Sequence, residues 1–444
     1  MARFAHPQLW FVGGAILLLN SASLQVEAPA QGAPPHAPDF QPVEFGPRIL
    51  ALQERLKSGD RRSALEQFWQ QVSRTGTPLI EPVGDASHEV VVTFLWRGDR
   101  ETRTIGLLVP LTNSPGMPSF PLRHLPDSDV WYKCWRLRDD LRFGYRFVLN
   151  AKPGERPHGP ATRSDPLNPH RMEISFDEGA PLTQFSIAAM PQGAEPPWVI
   201  ETPGVPAGQL EQRQFESPTL ANQREIWIYT PPGYQPGTPT QNPLLVLFDG
   251  FAYQDWIPVP TILNNLIHAG KVPPMIAVLV GNPSGARMSE LAYNPKFADF
   301  VSKELLPWVQ AHWRVRRDPR TTIIGGYSAG GAAAAYVALL HPALFGNVLS
   351  QSGAFWTGSG DVKWEWLVTQ YESRPKLPIT FFVEAGRLEN VAQEGPTLLS
   401  ANRHLVAVLR RKGYSVTYEE VGGTHEPVQW RGQFADGLVA LLHR

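Results

Sequence analysis

Apolar and polar positions follow three successive rhythms along this chain. Between residues 45 and 72 apolar side chains recur at helical spacing. Leu65, Phe68, Trp69 and Val72 share one face, and Ser58-Gly59-Asp60 breaks the run into two short helices. From residue 89 the period shortens. Residues 89–96, 104–109, 130–137 and 143–148 are rich in β-branched and aromatic side chains and are separated by turn residues such as Arg97-Gly98-Asp99. They predict a small β-sandwich. Asp165-Pro166-Leu167-Asn168-Pro169 closes this region, and residues 173–197 read as a linker with one short strand near Phe185. Beyond residue 198 continuous apolar runs alternate with helical stretches. Strands are expected at 225–230, 243–248, 275–280, 321–324, 346–351, 378–383 and 415–420, and helices at 260–269, 297–312, 332–340 and 429–442. Apolar strands interleaved with helices predict a parallel sheet covered on both faces.

The first 44 residues stand outside these rhythms. Arg3 and His6 precede an apolar run, residues 9–19, that is too short to span a bilayer, and Asn20-Ser21-Ala22-Ser23 follows it. Residues 1–23 therefore read as a cleaved secretory peptide, with an uncleaved anchor as the alternative. Residues 24–44, rich in Pro and Ala, read as a flexible leader. The expected domains are 45–172, helices plus sandwich, and 198–444, the α/β domain.

Composition narrows the function. The 444 residues carry a net charge of −1, which argues against nucleic acid or an anionic membrane as a partner. The single cysteine, Cys134, excludes an internal disulfide, and its strand-like surroundings suggest a buried, inert thiol. An exported chain without a disulfide suits a periplasmic or secreted location. No metal signature and no phosphate-binding loop is present, so no cofactor is expected.

Candidate chemistry concentrates at Gly326-Tyr327-Ser328-Ala329-Gly330, a G-x-S-x-G motif between an apolar strand and an Ala-rich helix. That context makes it a nucleophile elbow and the domain an α/β-hydrolase. Ser328 is the expected nucleophile. The base should follow the last strand, where Gly422-Gly423-Thr424-His425-Glu426-Pro427 offers His425 in preference to His341, His404 and His443. The acid should follow residues 378–383; Glu384, Glu389 and Glu394 are available. Glu389 is preferred because it lies past the strand tip, and a Ser–His dyad is the alternative. Oxyanion donors are expected from the main chain of Ala329 and of Gly250 and Phe251.

At these residues the chain resembles the enterochelin (enterobactin) esterase family. The likeness runs through Ile226 to Tyr234, Leu247-Phe248-Asp249-Gly250, Arg287 to Leu291, the elbow, Phe345 to Gly353, Glu384-Ala385-Gly386, Gly422 to His425, and Trp430-Arg431-Gly432. It implies an Ig-like, E-set type sandwich before the α/β-hydrolase domain, and hydrolysis of catecholate siderophore esters by Ser328 and His425, with Glu389 at the acid position. It also implies that Arg287, Trp430 and Arg431 line the substrate groove, with Tyr327 counted beside them. Thr424 departs from the small residue common in the family. The expected partner is a small-molecule ester, such as a ferric siderophore, with no membrane once the signal is removed. A carbohydrate feruloyl or acetyl ester is an alternative substrate. A non-catalytic protein that binds glycan or chelate is the alternative of another class.

Overall fold

The computed structural model describes residues 40–442, apart from 85–87, 111–118, 152–161, 176–180, 238 and 393. The expected signal peptide and nearly all of the leader lie outside the described residues. Among the described residues no helix is long and apolar enough to cross a membrane.

The first region is a sandwich. Its strands are β1 (Gln41–Val43), β2 (Leu79–Pro82), β3 (Glu89–Arg97), β4 (Ile105–Leu108), β5 (Ser119–Pro121), β6 (Arg123–His124), β7 (Val130–Arg138), β8 (Arg142–Leu149), β9 (Thr162–Arg163), β10 (Arg171–Ile174) and β11 (Thr183–Ala189). One antiparallel sheet runs β1-β7-β3-β2, with β6 on β7. The other runs β10-β11-β8-β4-β5, with β9 on β8. Alternation along β3, β7 and β8 sends Phe94, Trp135, Phe143, Tyr145 and Phe147 into the space between them, where all are buried. Their rings meet edge to face, Phe94 lying 5.5 Å from Trp135 and 4.9 Å from Tyr145. The two expected helices, Pro47–Ser58 and Arg61–Thr75, cover the outer face of the first sheet with Ile49, Leu52, Phe68, Trp69 and Val72. Cys134 is buried beneath them, and burial raises its thiol pKa.

The expected linker at 173–197 needs correction. Within it β11 pairs with both β10 and β8, with Ser186 opposite Tyr145. Its outer face carries Phe185 and Ile187, which join Met172 and Ile174 in a core shared with Trp430 and Val428 of the α/β domain. The strand thus packs on both faces, which a short alternating run flanked by polar residues did not reveal.

The second region is an eight-stranded sheet. After β12 (Gln209–Ser217) come β13 (Asn222–Thr230), β14 (Leu244–Phe248), β15 (Ile276–Val280), β16 (Thr322–Tyr327) and β17 (Asn347–Gln351). A hairpin of β18 (Thr357–Ser359) and β19 (Val362–Trp364) intervenes before β20 (Thr380–Gly386) and β21 (Ser415–Val421). The order is β12-β13-β15-β14-β16-β17-β20-β21. Six strands are parallel, and β12 and β13 add an antiparallel edge. The edge strand β12 escapes an apolar-run reading because its first six residues are all exposed. The single helix expected at 297–312 is divided into Pro295–Asp299, a π-turn at Phe300–Leu305 and Leu306–His312. The Leu306 N–H donates to Val301 O, one residue wider than an α-turn, immediately before Pro307, which has no N–H to give.

Candidate active site

The central strand β16 delivers Ser328 to the sheet's C-terminal edge. Ser328 adopts φ 53°, ψ −122°, a backbone state that costs a side-chain-bearing residue about 1–3 kcal/mol. The next strand and the turn after it hold it there: its N–H donates to Gln351 O at 2.8 Å, and its own carbonyl accepts from Ala354 N at 2.9 Å. The turn closes because Gly326 has no side chain. A Cβ there would lie 2.6 Å from the Gly330 carbonyl carbon. The helix Ala329–Leu340 follows at once.

His425 and Glu389 meet this serine. His425 Nε2 lies 2.9 Å from Ser328 Oγ, and His425 Nδ1 lies 2.9 Å from Glu389 Oε1. With its proton on Nδ1 the imidazole donates to Glu389, leaving Nε2 to accept from the serine hydroxyl. Glu389 is itself fixed, since its Oε2 accepts from Gly386 N at 3.0 Å. Exposure falls along the series: the serine is half-buried, the His425 side chain is 11% exposed and that of Glu389 1%. The serine hydroxyl is thus reachable from solvent while the Glu389 carboxylate is shut off from it.

The competing residues lie elsewhere. Glu384 is fully buried, accepting from Gln351 Nε2 at 2.9 Å and Gln429 Nε2 at 3.1 Å, and burial raises its pKa far above the carboxylate range. Glu394 pairs with Lys363 on the surface. His341 caps the helix after the elbow and contacts Ser302 Oγ, and His404 lies beside Glu365. His443 lies outside the described residues.

The expected oxyanion donors stand at two helix starts. Ala329 opens the helix after Ser328, and Gly250 and Phe251 open Gly250–Gln254, where N–H groups have no intrahelical acceptor. Asp249 precedes them at φ 61° and is fully buried. A Cβ on Gly250 would lie 2.5 Å from the Leu279 carbonyl carbon, so this turn sits hard against β15.

The four residues expected along the substrate groove have protein partners. Arg287 grips Asp249 with two bonds, Nε to Oδ1 at 2.8 Å and Nη2 to Oδ2 at 2.7 Å, and its guanidinium lies 5.4 Å from the Tyr327 ring centre. Tyr327 stacks on Trp430 at 4.2 Å. Trp430 is buried; its indole N–H donates to Ser352 Oγ at 2.9 Å, and its ring meets the His425 imidazole edge-on at 5.1 Å. Arg431 pairs with Glu195 at 3.0 Å. Trp430 thus backs the imidazole, and Arg431 ties the closing helix to residues beyond β11.

Sequence reasoning missed Glu426. It is buried directly after His425, and its carboxylate reaches into the sandwich at Gly144. The available signal was an ionisable residue wedged between the expected base and Pro427 in a run that is otherwise small or apolar.

An elbow serine in reach of an imidazole at the edge of an α/β sheet marks an α/β-hydrolase. Residues 217–441 match the family model described as putative esterase, and residues 91–199 match the one described as enterochelin esterase, N-terminal. The chain is 30% identical to the iron(III) enterobactin esterase of Dickeya dadantii, over 91% of its own length and 97% of that protein. It is similar in structure to the ferric enterobactin esterase of Salmonella typhimurium, with TM-score 0.70 and 26% identity over 85% of this chain and 98% of that one. The enterobactin esterase of Shigella flexneri, crystallised in the presence of enterobactin, gives TM-score 0.68 and 27% identity over the same shares. The chain belongs to the enterochelin esterase family.

Proposed function

We propose that this chain is a serine esterase that hydrolyses the ester bonds of a catecholate siderophore through an acyl-enzyme. The observation that carries the reading is the continuous contact from Ser328 through His425 to Glu389. The relatives, which include an iron(III) salmochelin esterase of Escherichia coli at 24% identity, supply the substrate class.

In this reading His425 Nε2 takes the Ser328 proton as Oγ attacks the ester carbonyl carbon. Negative charge gathers on the carbonyl oxygen, facing the N–H groups of Ala329 and of Gly250 or Phe251. The buried Glu389 carboxylate holds the imidazole in the productive tautomer and offsets its positive charge. Collapse expels the alcohol, which receives the proton from Nε2–H and leaves an acyl group on Oγ. Water, deprotonated by the same nitrogen, then releases the acid. Iron, where present, arrives as part of the substrate. An exported location is part of the proposal, and N-terminal sequencing of mature protein that retains residues 1–20 would contradict it.

The test is hydrolysis of ferric and iron-free enterobactin beside methyl ferulate, by wild type and Ser328→Ala. The expected result is trilactone cleavage that the substitution lowers by a thousandfold or more, on the order seen when a catalytic serine is removed. Cleavage of the ferulate alone would move the substrate to carbohydrate esters. Full activity in Ser328→Ala would defeat the mechanism.

A further inference from the structure

We propose that Glu426 is a positioning residue. By bonding to β8 of the sandwich it fixes the loop that carries His425, so that the sandwich completes the apparatus around Ser328. The inference rests on the Ser328–His425 reading above and adds to it a residue and a domain that the mechanism does not otherwise use.

The sheet register shows why the loop docks where it does. β4 pairs with β8 from Ile105 opposite Leu149 to Leu108 opposite Arg146. Two residues further on, the ladder would set Pro110 opposite Gly144. Proline has no N–H to give the Gly144 carbonyl, and the ladder stops short of this pair. The Pro110 carbonyl and the Gly144 N–H therefore remain open to other partners. The His425 loop takes both: His425 N–H donates to Pro110 O at 3.2 Å, and Gly144 N–H donates to Glu426 Oε1 at 2.6 Å. Two consecutive residues, the expected base and its neighbour, thus stand in for the missing strand.

The Glu426 carboxyl is suited to that place alone. It is 4% exposed, and Oε1 also accepts from the Thr424 hydroxyl at 2.5 Å, which ties both ends of the Thr424–Glu426 turn to one atom. Thr424, the departure from the family's small residue, thereby acquires a role. The other oxygen fills the space over Gly144, where a Cβ would lie 2.5 Å from Oε2. Burial raises the Glu426 pKa to about 7, and the bonds from Thr424 and Gly144 and the nearby Arg142 charge only partly offset it. A carboxyl held at that cost matters for its geometry.

The acid loop is clasped by the same part of the sandwich. Arg142 N–H donates to Gly422 O at 2.9 Å, Arg387 pairs with Asp140 at 2.6 Å, and the Leu388 side chain is buried in the sandwich core. Leu388 N–H donates to Gly423 O at 3.1 Å, which joins the two loops to each other. Displacing such a loop by about 1 Å can cost about a hundredfold in rate without altering any group that touches substrate.

The experiment uses the full chain with Glu426→Ala, Glu426→Gln and Gly144→Ala. Two readouts are taken: the rate at which a fluorophosphonate probe labels Ser328, and kcat and KM on the ester that wild type cleaves. Glu426→Ala should lower labelling and kcat by about tenfold to a hundredfold, with KM held within about twofold. Glu426→Gln should stay within about threefold of wild type, because its amide oxygen accepts the same two bonds. Gly144→Ala, in the other domain, should fall with Glu426→Ala. Labelling at the wild-type rate in both Glu426→Ala and Gly144→Ala overturns the inference, as does Glu426→Gln failing as badly as alanine while still folded. If Glu426→Ala does not fold, Glu426→Gln and Gly144→Ala decide by the same criteria. Wild type that does not label at Ser328 sinks the serine esterase reading and this inference together; wild type that labels while the variants are indifferent sinks this inference alone.

Discussion

The two loops that meet at Ser328 Oγ and His425 Nε2 are built on opposite plans. The elbow is local. Its strand, its strained serine and its helix fall within residues 322–340, and the groups that hold it, Gln351 O and Ala354 N, lie on the next strand and just past its end. The base loop, so called for the role proposed for His425, is assembled from afar. It hangs from Pro110 and Gly144 of another domain and meets Glu389 from a third stretch of chain. Intrinsic backbone strain sets the first, and packing between two domains sets the second. Damage to the elbow should therefore appear as lost stability of the α/β domain, whereas damage to the base loop should appear as lost rate.

The largest effect that would sharpen this contrast is Glu389→Gln. The amide keeps the shape but can present an N–H to Nδ1 and favour the wrong tautomer, so kcat should fall by about a thousandfold or more, with the thermal midpoint changed by only a few degrees. A kcat within tenfold of wild type would instead support a Ser–His dyad.

Next in size is a pH dependence of stability carried by Glu426. Its folded pKa of about 7 stands above the ordinary 4.5, so the folded state holds the proton more tightly than the unfolded chain does. Below pH 4.5 both states are protonated and no penalty exists. As pH rises from 4.5 to 7 the unfolded chain ionises first, and stability falls by about 3 kcal/mol. Glu426→Gln lacks this slope. Urea unfolding of the two proteins at pH 4.5 and pH 7.5 should show the variant gaining relative to wild type at the higher pH; parallel behaviour would mean that burial leaves the carboxyl at its ordinary pKa.

Smallest is Gly326→Ala in the elbow. Its Cβ would lie against the Gly330 main chain, which cannot swing aside as a side-chain end can. A loss of about 2 kcal/mol is expected, read as a lowered unfolding midpoint. An unchanged midpoint would show that the turn has slack and would blur the contrast between the two loops.

The local plan explains what the sequence made legible. Ser328 was readable because strand, motif and helix are contiguous, and His425 because chain order places the base after the last strand. Glu389 needed one further step, since three glutamates competed and only its position past the strand tip favoured it. The contacts that escaped act across long separations. Glu426 finds Gly144 282 positions away, and Arg287 closes on Asp249 38 positions away, behind the expected oxyanion turn. Neither pairing leaves a periodic trace. β12 escaped for another reason: an edge strand with polar side chains in water has no apolar run to announce it.

The distance from Gly144 to Glu426 also bears on when the chain can first become active. A contact of that separation closes late, because the intervening polypeptide must be made and ordered before its ends can meet. During synthesis the sandwich emerges first and the strained serine later. The imidazole follows the serine by 97 positions. On the proposed mechanism, an elbow formed before that contact closes has nothing to deprotonate its serine.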